Sequence, residues 1–407
     1  MVVTYGTEGD GRPLAALCAA LKAAGHEAVL MGAAASLGSA PPLGVATLAL
    51  AGDMKAASDS AGSISGVVKA GGDFTSTTGA LAAIANRNAE AWTRQVLATS
   101  QGADAIIASG LAAFVGLSVA ERLKIRAIGA GLIPITPTAA FASPFLPPAL
   151  VPTMVNKASH RMVNGLLWRA FRKAINAART TVLDLPARQA NFTDHPMLYG
   201  VSPTVIPPPM DWPADARLCG QWVPPAPDWT APAALSAFLA GGDPPLYVGF
   251  GSMMGVDNDR LLADLIEAAG TRRAIFNPGW SGVDVSRLPE NIFAIGDTPH
   301  DWLFPRMSVV VHHGGSGTTH SAARAGVPSV VVPFAGDQPF WAARLHALGI
   351  APPPVSRKAG FGRRLAKAIA LAEGEDLRIR ATEVGRCMAA EDGLADAVAA
   401  IEALMNG

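Results

Sequence analysis

Apolar positions along this chain switch between two rhythms. Short apolar runs at 2–5, 27–31, 104–108 and 127–129 predict strands, continuous in character as parallel strands buried on both faces are. Between the first two, Leu14, Leu17, Cys18 and Leu21 recur at helical spacing, with Pro13 in the first turn and Gly25-His26 at the end. Helices over 81–97 and 111–123 follow. Strands alternating with helices predict a parallel sheet covered on both faces. The alternation returns in the second half, with a strand running into a tight turn over 246–253 and strands at 274–277 and 309–311. A last periodic stretch, 394–405, predicts a terminal helix.

The most informative stretch is 308–341. Val309, Val310 and Val311 read as a buried strand, and 313–317 as a glycine-rich bend. A short helix is expected from about Thr318, stopped by Gly326 and Pro328, and a strand resumes at 329–332. A helix that opens at the end of a strand presents unpaired N–H groups and the positive end of its dipole, which together make an anion site. Glycine lets a phosphate approach the backbone. Ser316, Thr318 and Thr319 offer hydroxyls, and His313 offers a ring N–H.

The turn Gly6-Thr7-Glu8-Gly9-Asp10-Gly11-Arg12-Pro13 gives a second strand–loop–helix start. Its spacing fits the dinucleotide fingerprint poorly and no acidic residue follows the second strand at the ribose position, so NAD is not expected. From the residues alone, Asp10 reads as the cap of a helix beginning near Arg12. Asp257-Asn258-Asp259 spells a metal-binding DxD, but it stands before Arg260-Leu261-Leu262, where capping explains it better. No metal is expected.

The 407 residues exceed one ordinary core and suggest two domains of ~200 residues. Lys plus Arg and Asp plus Glu both number 32, which argues against a broad nucleic-acid-binding surface. Three cysteines without a CxxC fit a reducing cytoplasm, and Met1 running straight into a strand predicts no leader. The uncharged run 127–156 contains six prolines and reads as apolar loop, not as a membrane span. From Arg122 to Leu183 there is no acid but there are nine Lys and Arg. Within that stretch Met162, Leu166, Trp168, Arg169, Ile175 and Arg179 suggest an amphipathic helix with a basic face. Such a face is either solvated or rests on anionic lipid, which makes 143–179 a candidate for peripheral membrane contact. Nine prolines between Ser202 and Pro232 predict a stiff connection, with a domain boundary near Pro208.

The run His312-His313-Gly314-Gly315-Ser316-Gly317-Thr318-Thr319, then Ala325-Gly326-Val327-Pro328, then Asp337-Gln338-Pro339-Phe340-Trp341, resembles the donor signature of nucleotide-sugar glycosyltransferases of the GT-B fold. The nearest branch is the bacterial and fungal sterol glucosyltransferase-like part of the UDP-glycosyltransferase superfamily. Phe250-Gly251-Ser252, Gly279-Trp280, the run 297–305 and the run from Arg179 to Pro186 resemble it too. The resemblance implies an α/β protein of two Rossmann-like domains facing across a cleft. The first, 1–208, would take the acceptor and the second, 209–385, the donor, with a terminal helix in 386–407 crossing back. It implies that Asp10 is the catalytic base, although Glu8 and Gly11 depart from the family's arginine and valine.

Donor contacts are implied for Gly9, and around the phosphates for Gly251, Ser252, His313, Gly315, Ser316, Gly317 and Thr318. Thr298 would lie near the uracil with His300, since Asp297 replaces the stacking tryptophan of plant relatives. Trp280 stands beside the uracil or in the core. Asp337 and Gln338 would hold the sugar hydroxyls, and Ser321 stands where plant relatives carry a ribose-binding Glu. The implied reaction is metal-independent, inverting transfer of a hexose from a UDP-sugar to a hydrophobic, hydroxyl-bearing acceptor, with no cofactor. Alternatives are a macrolide, polyketide or phenolic acceptor with a UDP- or TDP-sugar, and a catalytically silent partner protein. A sugar-nucleotide epimerase of the same fold should lack the segment 143–186.

Overall fold

The computed structural model describes residues 1–52, 74–224, 229–251, 258–279 and 283–406. Their strands form two wholly parallel sheets. The first comprises β1 (Val2–Val3), β2 (Val29–Gly32), β3 (Ala46–Ala49), β4 (Ala105–Ala108), β5 (Arg126–Gly131), β6 (Met197–Tyr199) and β7 (Ala216–Leu218), in the order β3-β2-β1-β4-β5-β6-β7. The second comprises β8 (Leu246–Gly249), β9 (Ala274–Asn277), β10 (Ile292–Ala294), β11 (Val309–His312) and β12 (Ser329–Val331), in the order β10-β9-β8-β11-β12. In each sheet the winding reverses once, between β1 and β4 and between β8 and β11. Ligands of such sheets bind where the winding reverses, beyond the carboxyl ends of the strands. β11 shows why its residues form a central strand: Val309 to Val311 are fully buried, and Val311 lies between Val248 and Val330.

Among the described residues, the helices of the first domain are α1 (Glu8–Ala23), α2 (Phe74–Thr99), α3 (Ala113–Leu123) and α4 (Asn156–Val182). The second carries α5 (Ala233–Ala240), α6 (Asn258–Ala269), α7 (His300–Leu303), α8 (Ser316–Arg324), α9 (Gln338–Ala347), α10 (Phe361–Ala372) and α11 (Glu375–Ala389). The last helix, α12 (Gly393–Asn406), returns to the first domain. There Ala397 and Ile401 share a core with Leu14, Leu17 and Cys18 of α1, and Glu402 meets His26 at 3.0 Å. Residues 386–389 continue α11, so the crossing starts later than 386.

The proline-rich link differs from its expected form. β7 pairs beside β6, so the first sheet extends past Pro208. Val201, Val205 and Ile206 are buried in one core with Phe340, Trp341 and Leu345 of α9 and Val384 and Met388 of α11. The Arg344 guanidinium donates to the Val205 carbonyl at 2.7 and 3.2 Å. Proline stiffens this run, but its apolar residues bind it to the second domain. The two crossings between domains meet backbone to backbone at Gly220 and Gly393.

Helix α4 is amphipathic with a basic face, and one residue departs from expectation: Arg179 lies in the core with Trp168 and Ile175. Arg179 is 2% exposed because Glu121 takes its guanidinium in two bonds of 2.8 and 2.9 Å, and its Nε donates to the Pro186 carbonyl. Met162, Leu166 and Arg169 remain exposed, with Arg161, Arg172 and Lys173 beside them. Among the described residues, no helix is long and apolar enough to cross a membrane.

Candidate active site

The first half of the site grows from β1. After Val3 the chain bends through Gly6 and enters α1 at Glu8, with Thr7 as N-cap. Asp10 is therefore the third residue of the helix, not its cap. It completes a capping box: its Oδ2 accepts the Thr7 N–H at 2.8 Å and the Thr7 hydroxyl at 3.2 Å. Gly6 makes room for this, since a Cβ there would lie 2.2 Å from that oxygen. Burial lifts the Asp10 carboxyl above its ordinary range, and the two Thr7 bonds oppose the lift. Gly9 is exposed on the same first turn. Glu8 pairs with Arg12 at 3.4 Å, and Gly11 lies against the Ser36 carbonyl.

The second half grows from β11. His312 ends the strand and its Nδ1 accepts the Gly314 N–H at 3.1 Å, which shapes the bend. Gly315 is the N-cap of α8, whose first turn carries no acid. The His313 ring lies over this bend, because a Cβ on Gly315 would come within 2.5 Å of its Nε2, and Gly251 flanks its other edge. Burial pulls His313 down to about 4, His312 to about 3 and His300 to about 4, so all three are neutral near pH 7 and each keeps one N–H. Gly317 is exposed and Thr318 partly so, while Thr319 is buried. Ser316 is engaged elsewhere: its hydroxyl donates to the Leu132 carbonyl of the first domain at 2.8 Å. Helix α8 starts at Ser316, two residues before the expected Thr318.

Asp337 and Gln338 open α9. The Asp337 carboxylate accepts the Trp341 indole N–H at 2.6 Å, and burial raises it to about 6, with the charge of Asp10 adding to the rise. The Gln338 side-chain oxygen accepts the N–H groups of Phe334 and Ala335, at 2.6 and 3.1 Å, so the amide is fixed. Thr298 is buried and bonds the Gly296 carbonyl, while Arg12 reaches across to Asp297 at 3.4 Å. Ser321 accepts from Gln221 at 3.1 Å. Ser252, Trp280 and Asp257 lie outside the described residues. No group of three or more His, Cys, Asp or Glu among the described residues is arranged to hold a metal ion.

Sequence reasoning passed over Arg12, the Leu132 carbonyl and the Trp341 indole. Only Trp341 carried a local signal, because a residue four places after a helix-opening aspartate lies one turn above it.

Two Rossmann-like domains with switch points facing one cleft, and a last helix returning to the first domain, define the GT-B architecture. The glycosyltransferase VinC, solved in complex with dTDP, superposes with a TM-score of 0.69 over 100% of this chain and 98% of that one, at 16% identity. Residues 274–404 match the family described as erythromycin biosynthesis protein CIII-like, C-terminal domain. Sterol 3-beta-glucosyltransferase UGT80A2 of Arabidopsis thaliana is 34% identical over 308 residues, which is 73% of this chain and 48% of that protein. UGT80B1 of the same plant is 31% identical over 98% of this chain and 66% of its own length. The chain belongs to the GT-B UDP-glycosyltransferase superfamily, among homologues of the sterol 3-beta-glucosyltransferases. It spans about half or less of the length of the first curated relatives it matches.

Proposed function

We propose that this chain is an inverting, metal-independent glycosyltransferase that moves a hexose, glucose from UDP-glucose, to a hydroxyl of a hydrophobic acceptor such as a sterol. Two unlike helix starts carry the reading, each at the winding reversal of its sheet: Asp10 on α1, and the acid-free N-terminus of α8 under His313, where Ser316 bonds the Leu132 carbonyl of the first domain. An alcohol is a weak nucleophile, and a positioned carboxylate removes its proton as the new bond forms. The acceptor oxygen attacks the anomeric carbon and the bond from that carbon to the diphosphate breaks. The leaving diphosphate takes the electron pair. Backbone N–H groups of 315–318 and the His313 N–H stabilise the charge that develops. A single displacement inverts the anomeric centre. In this reading Asp337 and Gln338 serve the sugar hydroxyls, and Gly9, Gly251 and Thr298 are assigned to the donor.

The names of the sterol glucosyltransferase relatives support a sterol-like acceptor. A second reading, a natural-product acceptor with a TDP-sugar, is favoured by the dTDP in the VinC structure. Contact with a membrane surface is supported by Leu150 (77% exposed) and Met154 (96%), with Met162 and Leu166, beside exposed Arg161, Arg169, Arg172 and Lys173. Cys18, Cys219 and Cys387 are unpaired, in keeping with work in the cytoplasm. Thermal shift with UDP, TDP and their glucose conjugates, followed by product mass spectrometry with sterol and phenolic acceptors, separates the two readings. The expected result is stabilisation by UDP and UDP-glucose and a hexosylated sterol. No shift with any nucleotide overturns the proposal.

A further inference from the structure

We propose that Trp341 is a positioning residue for the sugar end of the donor site, and that its indole N–H sets hexose selectivity by holding the Asp337 carboxylate in one orientation. This rests on the proposed function and adds to it a specificity determinant.

Asp337 precedes α9 and Trp341 stands one turn in, so the helix itself brings the indole N–H over the carboxylate. The contact, 2.6 Å to Oδ2, is short for a nitrogen donor and is charge-assisted. The ring has no room to turn. Trp341 is fully buried, with His320 at 5.0 Å and Phe340 at 5.1 Å between ring centres, both edge-on. Tyr199, Val201 and Val205 of the first domain complete the same core. His320 in turn bonds the Ser316 carbonyl at 2.8 Å through Nδ1. Asp337 is thereby tied, through Trp341 and His320, to the first residue of the helix whose start receives the diphosphate.

A carboxylate with one oxygen committed to a fixed donor offers the other in a single direction. A hexose that places a hydroxyl there makes a charge-assisted bond, while a deoxy analogue leaves a buried carboxylate unpaired. The indole N–H also favours the charged form of Asp337, which burial and Asp10 both oppose. A tryptophan that only filled the core would affect all ligands of the domain alike.

The test compares wild type with Trp341→Phe, which keeps an aromatic ring and loses the N–H. Affinities for UDP, UDP-glucose and monodeoxy UDP-glucose analogues are measured by calorimetry, and kcat/KM for each sugar is followed against pH. The expected result is UDP affinity within about twofold of wild type and UDP-glucose affinity about tenfold weaker. The preference for glucose over one deoxy analogue should collapse, and the acidic limb of kcat/KM should move to higher pH. In an Asp337→Asn background the same substitution should change sugar preference by less than about twofold. Should Trp341→Phe not fold, Trp341→His restores a ring N–H and is expected to keep the preference for glucose. Equal weakening of UDP and UDP-glucose, unchanged preference in Trp341→Phe, or preference lost in a folded Trp341→His overturns the clamp. If wild type binds no nucleotide sugar, it is the proposed function that fails.

Discussion

At the reversal point of each sheet a strand runs through a glycine-bearing bend into a helix, β1 into α1 and β11 into α8, yet the two helix starts are finished differently. The first turn of α1 carries Glu8 and Asp10, and Asp10 folds back onto Thr7. The first turn of α8 carries no acid and opens on Gly315, Ser316 and Gly317. A helix start favours negative charge by about 0.3–1 kcal/mol, more where it is partly buried. In α1 that charge belongs to the chain. In α8 the first turn carries none. On the function proposed above, one backbone plan used twice supplies a base on one wall and an anion seat on the other.

Removing the built-in charge is expected to have the largest effect. Asp10→Asn keeps the fold and an acceptor for Thr7, and should lower transfer by roughly 10²–10⁴ while UDP affinity stays within about twofold. Product formation under single-turnover conditions, with calorimetry alongside, measures both.

Asp337→Asn sharpens the contrast from the second wall. Its folded-state carboxyl sits at about 6, above the ordinary 3.8, so the folded chain binds more protons than the unfolded chain between those values. Stability contributed by the protonated acid is full below the ordinary value and is lost as pH rises through about 6. Asparagine removes that loss, since its side-chain oxygen still accepts from Trp341. The variant should be more stable at about pH 7, by on the order of 1–3 kcal/mol, with the gain vanishing below about pH 4. Denaturant unfolding at the two pH values tests the sign. The smallest effect is expected for Arg12→Ala. Its bond to Asp297 crosses the cleft, but Asp297 is 85% exposed, so stability should change by less than about 0.5 kcal/mol.

The strand–bend–helix unit proposed as the anion seat was legible because its determinants are local. Three valines make a buried strand, glycines a bend, and Gly326 with Pro328 a stop, and β11, α8 and β12 follow that order. The parallel sheets were legible from the alternation of rhythms for the same reason. Long-range pairing was not. Nothing near Arg179 reveals that Glu121 draws it into the core, and nothing near Ser316 reveals that Leu132 takes its hydroxyl. The stiff link at 202–232 hid a strand of the first sheet and a segment of the shared core, because proline content reports stiffness and not partners. Asp10 read as a helix cap, and the correction to the third position came from Thr7, whose bonds to it are seen only in three dimensions.

The difference between the two helix starts is tested most directly by giving α8 an acid of its own. Gly317 is exposed and a Cβ there meets nothing within 4 Å, so Gly317→Asp should fold. The expected result, by calorimetry with UDP, is affinity at least about tenfold weaker than wild type with an unchanged or slightly higher unfolding temperature. UDP affinity equal to wild type in the folded variant would contradict an anion seat at the start of α8.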